Sequence, residues 1–185
     1  MAKETKSPLS SLLRMDLLVV LVVLFVPLIF FGDKALVIII ATLLIAASRA
    51  STFYDNLKIE IHSVLILVMA NVYGVWSGLF AALITSFLVL PFGKILGAIQ
   101  RPPWIILDSV YLMVLAAVAS MLSPHDLFLY GMLTIIFFGN GVVMFIRVYV
   151  LNDALSRRVP LSVLNIMFSY LLLKNFLPKI LSFFN

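Results

Sequence analysis

Asp108 is the side chain in this sequence best placed to do chemistry. It lies in Pro102-Pro103-Trp104-Ile105-Ile106-Leu107-Asp108-Ser109, a run that is otherwise almost wholly apolar. An acid inside such a run is a functional candidate by default, because an unpaired buried charge is costly. About five residues into a helix it stands roughly 7 Å along the axis. Arg147, at the end of another apolar run, can pair with it at similar depth, and Ser109 and Tyr111 extend the polar patch. A reactive carboxylate, a structural ion pair and a group reaching interfacial water are all compatible with this pattern.

Asparagines form the second set. Asn71, Asn140, Asn165 and Asn175 interrupt apolar stretches, with Ser169 and Tyr170 close to the third. Asn71, Trp76, Asn140 and Asn165 are the candidate ligand-binding residues, able to hold a small solute in a polar pocket between helices. The alternative is amide bonds that only join helices, at roughly 1 kcal/mol each. Gly74, Gly78 and Ala82, spaced four apart, make a small-residue ridge. Such a ridge serves either close packing within the chain or docking of a partner membrane protein. Lys174, deep in the last apolar run, allows a Schiff-base reading, but the chain is short for a rhodopsin, no carboxylate in the third span offers a counter-ion, and snorkelling to the interface accounts for it.

Other chemistries find no support. His62 and His125 both flank apolar runs and cannot form a histidine-rich metal site. Val75-Trp76-Ser77-Gly78 lacks the first glycine of a G-x-S-G nucleophile loop, and no later histidine lies deep enough to activate Ser77. No phosphate-cradling G-x-x-x-x-G-K-[ST] occurs. No catalytic residue, metal or cofactor is assigned.

The elements that must carry these residues are set by composition. The 185 residues are 64% hydrophobic and 11% charged, against roughly 45–50% and about 25% in soluble domains. Lipid must cover that much apolar surface. Backbone groups in hydrocarbon are paired only in helices or closed barrels, and runs such as LLVVLVVLFVPLIFF lack the alternation of barrel strands. The fold class is therefore an all-α integral membrane bundle of six to seven transmembrane helices. The net charge of +5 orients the chain in a bilayer rather than binding nucleic acid. The absence of cysteine removes disulfide and thiolate chemistry.

Residues 1–15 form a basic cytoplasmic tail, and 16–185 a single transmembrane helical domain. The expected spans are 17–31, 35–48, 61–73, 75–90, 102–122, 127–150 and 161–177. The first resembles a signal peptide but lacks a small-x-small cleavage site and is read as retained; it and the second are short enough to form a re-entrant hairpin instead. The third and fourth come from one apolar run, 61–97, too long for one span of about 20 residues and broken at Asn71–Gly78; a single tilted helix is the alternative. With the N-terminus cytoplasmic in a plasma membrane, Lys34, Lys174 and Lys179 are the only three of the thirteen basic residues left outside, as the positive-inside rule expects.

The layout from about Ala35 to Phe183 resembles the substrate-binding S components of energy-coupling-factor vitamin transporters, and also the MreD cell-shape proteins. The similar parts are Ile59-Glu60-Ile61-His62 leading into an apolar helix, Tyr73-Gly74-x-x-x-Gly78 at a hairpin, and Val159-Pro160 with Asn165 a turn later. Val75 differs from the proline that many S components carry after the hairpin glycine. The resemblance implies a non-enzymatic protein that binds a vitamin-like solute, with other membrane subunits as partners beside the lipid bilayer. Alternatively it implies a scaffold that docks partner subunits. A lipid-acting enzyme using Asp108 is the third expectation.

Overall fold

The computed structural model describes residues 21–22, 25–50, 61–96 and 102–184. The expected tail at 1–15, the start of the first span, residues 51–60 with the Ile59-Glu60 motif, and Arg101 lie outside them. Among the described residues there are six helices and no strand. They are α1 (Ala35–Ala50), α2 (Ile61–Tyr73), α3 (Val75–Leu96), α4 (Pro102–Met121), α5 (Leu127–Val150) and α6 (Leu155–Phe184). By length and composition five stretches could cross a membrane: Phe25–Ala50, which a turn at Gly32 divides, Val75–Gly93, Pro103–Met121, Leu127–Val150 and Arg158–Lys179. The chain is an all-α, multi-pass membrane protein.

Two glycine corners set the path. Gly32 has φ +56° and opens a 3-10 turn, Gly32–Lys34, between helical residues 25–31 and α1. The chain reverses there, because Val22 packs on the cluster of Ile39, Ala46, Ile84 and Leu88; a straight helix would carry it at least 25 Å from Ile39 at roughly 1.5 Å per residue. Gly74, at φ +88°, separates α2 from α3, a conformation that costs glycine nothing and strains other residues. Ser77 fastens this second corner: its hydroxyl lies 2.7 Å from the Gly74 carbonyl and 3.0 Å from that of Met69.

With 13 residues, α2 is roughly 20 Å long, short of the ~30 Å hydrocarbon core. It needs no lipid contact, since α1, α3, α4 and α6 surround it and Ile66, Leu67 and Ala70 are wholly buried. Close approach holds it there. A methyl on Gly78 would lie 2.6 Å from Ala70 Cβ and 2.9 Å from Ala116 Cβ, so α2, α3 and α4 meet at van der Waals distance through three small residues. The contact replaces the hydrophobic drive that lipid removes. Gly78 and Ala82 are thus buried between the chain's own helices, while Gly74 is exposed at the corner.

Helix boundaries differ from expectation at the prolines. α3 runs through Pro91, and α6 runs from Leu155 through both Pro160 and Pro178, where the sequence suggested ends at Leu90, Leu161 and Leu177. In water a mid-helix proline costs about 3 kcal/mol. Within a bilayer, uncoiled backbone has no water to bond to, so the helix continues.

Candidate functional site

The first turns of α4 carry the polar centre. Asp108 and Trp104, one turn apart, face α5 and α6; Ser109 turns toward α1 and α3. Asp108 accepts a hydrogen bond from Arg147 Nη2, and both residues are buried. Arg158, at the start of α6, is paired with Asp153 in the α5–α6 connection. The two guanidinium groups lie 5.8 Å and 5.2 Å from the centre of the Trp104 ring, within cation–π reach. Planar, permanently charged arginine suits both tasks, pairing with a carboxylate and stacking on an indole, better than lysine does. Trp104 is half-buried between the two arginines.

The approach of α5 depends on its own distortion. Residues 135–142 and 146–150 are wound as π-helix, a geometry frequent at functional sites. Asn140 Nδ2 donates to the carbonyl of Ile135, 3.1 Å away. Gly139 sits against Tyr111, whose hydroxyl oxygen a methyl on Gly139 would meet at 2.7 Å; that hydroxyl donates to Ser63 Oγ of α2 at 3.1 Å. At the end of α5, Asn152 takes a left-handed conformation, φ +53°, and the Asp153 amide reaches back to the Arg147 carbonyl at 2.9 Å. This helix stop sets Asp153 to receive Arg158.

Asn140 and Asn165 come together, with Asn165 Nδ2 3.5 Å from Asn140 Oδ1. Each lies seven residues from an arginine, Arg147 or Arg158, so roughly 10 Å deeper along its helix. Between the amides and the arginines is a cavity of about 30 Å³ lined by Asn140, Asn165, Ser162, Arg147 and Arg158. That is room for a water molecule or two. One turn beyond Asn165, Ser169 is wholly buried, and its hydroxyl has no hydrogen-bond partner among the described residues.

Asn71 and Trp76 do not join this cavity. The Asn71 amide donates to the carbonyls of Ala119 (3.0 Å) and Leu122 (2.8 Å), satisfying acceptors left open where α4 ends. Trp76 is 74% exposed and lines an apolar groove with Phe30, Phe31 and Leu83.

Two buried arginines escape the sequence reading, Arg158 described above and Arg49. Arg49, one of the basic residues that the charge count leaves on the cytoplasmic side, is 2% exposed at the end of α1. Its guanidinium donates to Thr85 Oγ1 at 3.0 Å and reaches the Ile105 carbonyl and Ser109 Oγ at 3.4 and 3.5 Å; Ser86 and Ser109 share a hydrogen bond beside it. The available signal is the set of hydroxyls, Thr85-Ser86 and Ser109, at matching depths from the same ends of α3 and α4. Arg49, Arg147 and Arg158 therefore all sit at one end of the bundle, around the start of α4. Comparison with protein families, with curated proteins and with solved structures finds no match.

Proposed function

We propose that this multi-pass membrane protein is a non-catalytic, transport-type subunit that binds a small solute between α5 and α6. The observation that carries the reading is the Asn140–Asn165 cavity, a set of amides and hydroxyls held about 10 Å inside the arginine level. Polar groups at that depth are costly in a bilayer and mark solute paths. At about 30 Å³ the cavity is too small for a vitamin-sized solute, which enters only when α5 and α6 shift to widen it. The Asp108–Arg147 pair and the Trp104 sandwich are the contacts that such a movement breaks. The resemblance to S components of vitamin transporters points the same way.

Thermal unfolding in detergent with a panel of water-soluble vitamins and small anions tests this. A panel member is expected to raise the unfolding temperature of the native chain by several degrees, with no shift in Asn140→Leu/Asn165→Leu. A shift that survives in the double variant, or none from any solute, contradicts it. A second reading, a scaffold of the MreD type, is favoured by α6, of which only 17% is buried within the chain. Docking would then use α6, since Gly78 and Ala82 already face the chain's own helices. Stable co-purification of other membrane subunits with no solute effect is the outcome that selects it.

A further inference from the structure

A larger cleft lies at the opposite end of α5 and α6. Its volume is about 450 Å³, and Pro124, His125, Phe128, Tyr170, Lys174 and Leu177 line it. The floor is apolar and packed: Leu173 is fully buried and Leu177 nearly so. One wall is an aromatic pair, Phe128 edge-on to Tyr170 at 5.7 Å. At the rim, the Lys174 ammonium lies 5.5 Å from the centre of the Tyr170 ring, and the His125 side chain is almost wholly exposed. The nearby acid, Asp126, is engaged by the Ser123 hydroxyl at 2.7 Å and faces His125 at 3.8 Å.

Helix length fixes the depth of this cleft. Lys174 is sixteen residues from Arg158 on α6, and His125 twenty-two from Arg147 across α5, roughly 24 Å and 33 Å of helix. Those spacings bracket the ~30 Å of a hydrocarbon core. The two charged levels therefore mark its two boundaries, and the cleft sits at the second with its cation at headgroup height and its apolar floor toward hydrocarbon. It opens on the outer side of the bundle, where Tyr170 and Leu171 are exposed.

We propose that this cleft is a binding site for an anionic phospholipid of the surrounding bilayer. The lipid phosphate rests on Lys174, and one acyl chain lies along Phe128, Tyr170 and Leu177. The site is separate from the Asn140–Asn165 cavity and does not depend on that reading. Charge selects the occupant, since a cation over an apolar trough at the boundary matches the phosphate and chain of a lipid lying alongside.

Native mass spectrometry of the full chain, released from dodecyl maltoside micelles doped with phosphatidylglycerol or phosphatidylcholine, tests the proposal. The native chain is expected to retain one phosphatidylglycerol in preference to phosphatidylcholine. Lys174→Gln is expected to weaken that retention roughly twofold to fivefold, the upper part of the range for one exposed charge pair. Lys34→Gln, at the same boundary beside Tyr73, is expected to leave it unchanged. Equal retention of the two lipids, or undiminished retention by Lys174→Gln, overturns the proposal. So does displacement of the lipid by free oleate at lower concentration, which would make a free amphiphile the occupant.

Discussion

Single side chains decide how closely these helices approach, and Gly78 is the sharpest case. The methyl of Gly78→Ala would meet Ala70 and Ala116 Cβ atoms, which are fixed to helix backbone and have no rotamer to escape into. The expected loss is about 1–3 kcal/mol, the usual cost of overpacking. Gly131→Ala makes the useful comparison, because its methyl would meet the Leu67 Cδ1 atom at 3.1 Å, the movable end of a side chain. Thermal unfolding of both variants in detergent should show Gly78→Ala several degrees lower and Gly131→Ala close to the native chain; equal effects would contradict the packing described. The four-residue spacing of Gly74, Gly78 and Ala82 is plain in the sequence, but its use is not. Spacing reveals a ridge and says nothing of whether the surface lying on it comes from the same chain. Asn71 is similar: a lone amide in an apolar run announces a hydrogen bond, and only the fold reveals that α4's last carbonyls receive it.

At the scale of the element, the tightly packed α1–α4 group meets the outer pair mainly through two contacts, α4 with α5 and α2 with α6. The Asp108–Arg147 pair crosses the first, buried on both sides. Removing one partner of a buried pair leaves an uncompensated charge and costs about 3–5 kcal/mol, whereas replacing both with apolar groups costs far less. Asp108→Leu and Arg147→Met are each expected to destabilise the chain strongly, and the double variant less than the sum of the two. Denaturant unfolding of the four proteins checks this, and simple additivity would show that the two groups do not interact. These two residues were legible because charges within apolar runs are rare. Arg49 and Arg158 were not, since arginines at the ends of spans ordinarily snorkel outward and nothing local records which of them turn inward. The π-wound stretch of α5 left one trace, Asn140 between Gly139 and Gly141. The prolines misled because their cost is set by water, which the bilayer removes.

The whole molecule is arranged around α2, a helix too short to cross a membrane alone and enclosed by its neighbours. Hydropathy made the helical class legible at once, because no soluble core could bury so many apolar residues. The central position of α2 was not legible, because lipid-facing and core-facing positions are equally apolar and the 3.6-residue period fades; α3 is apolar nearly all round. The corner at Gly74 was legible, and the arrangement depends on it: joined into one straight helix, α2 and α3 would put the α4–α5 turn on the other face of the membrane.

The chain has no cysteine, so single cysteines can report sidedness without background. Asp33→Cys and His125→Cys, both exposed, should react with a membrane-impermeant maleimide from the same side of sealed vesicles, and Ala154→Cys only from the opposite side. Labelling of Asp33→Cys and His125→Cys from opposite sides would show that the chain does not turn back at Gly74, and would contradict the fold and both sites drawn from it.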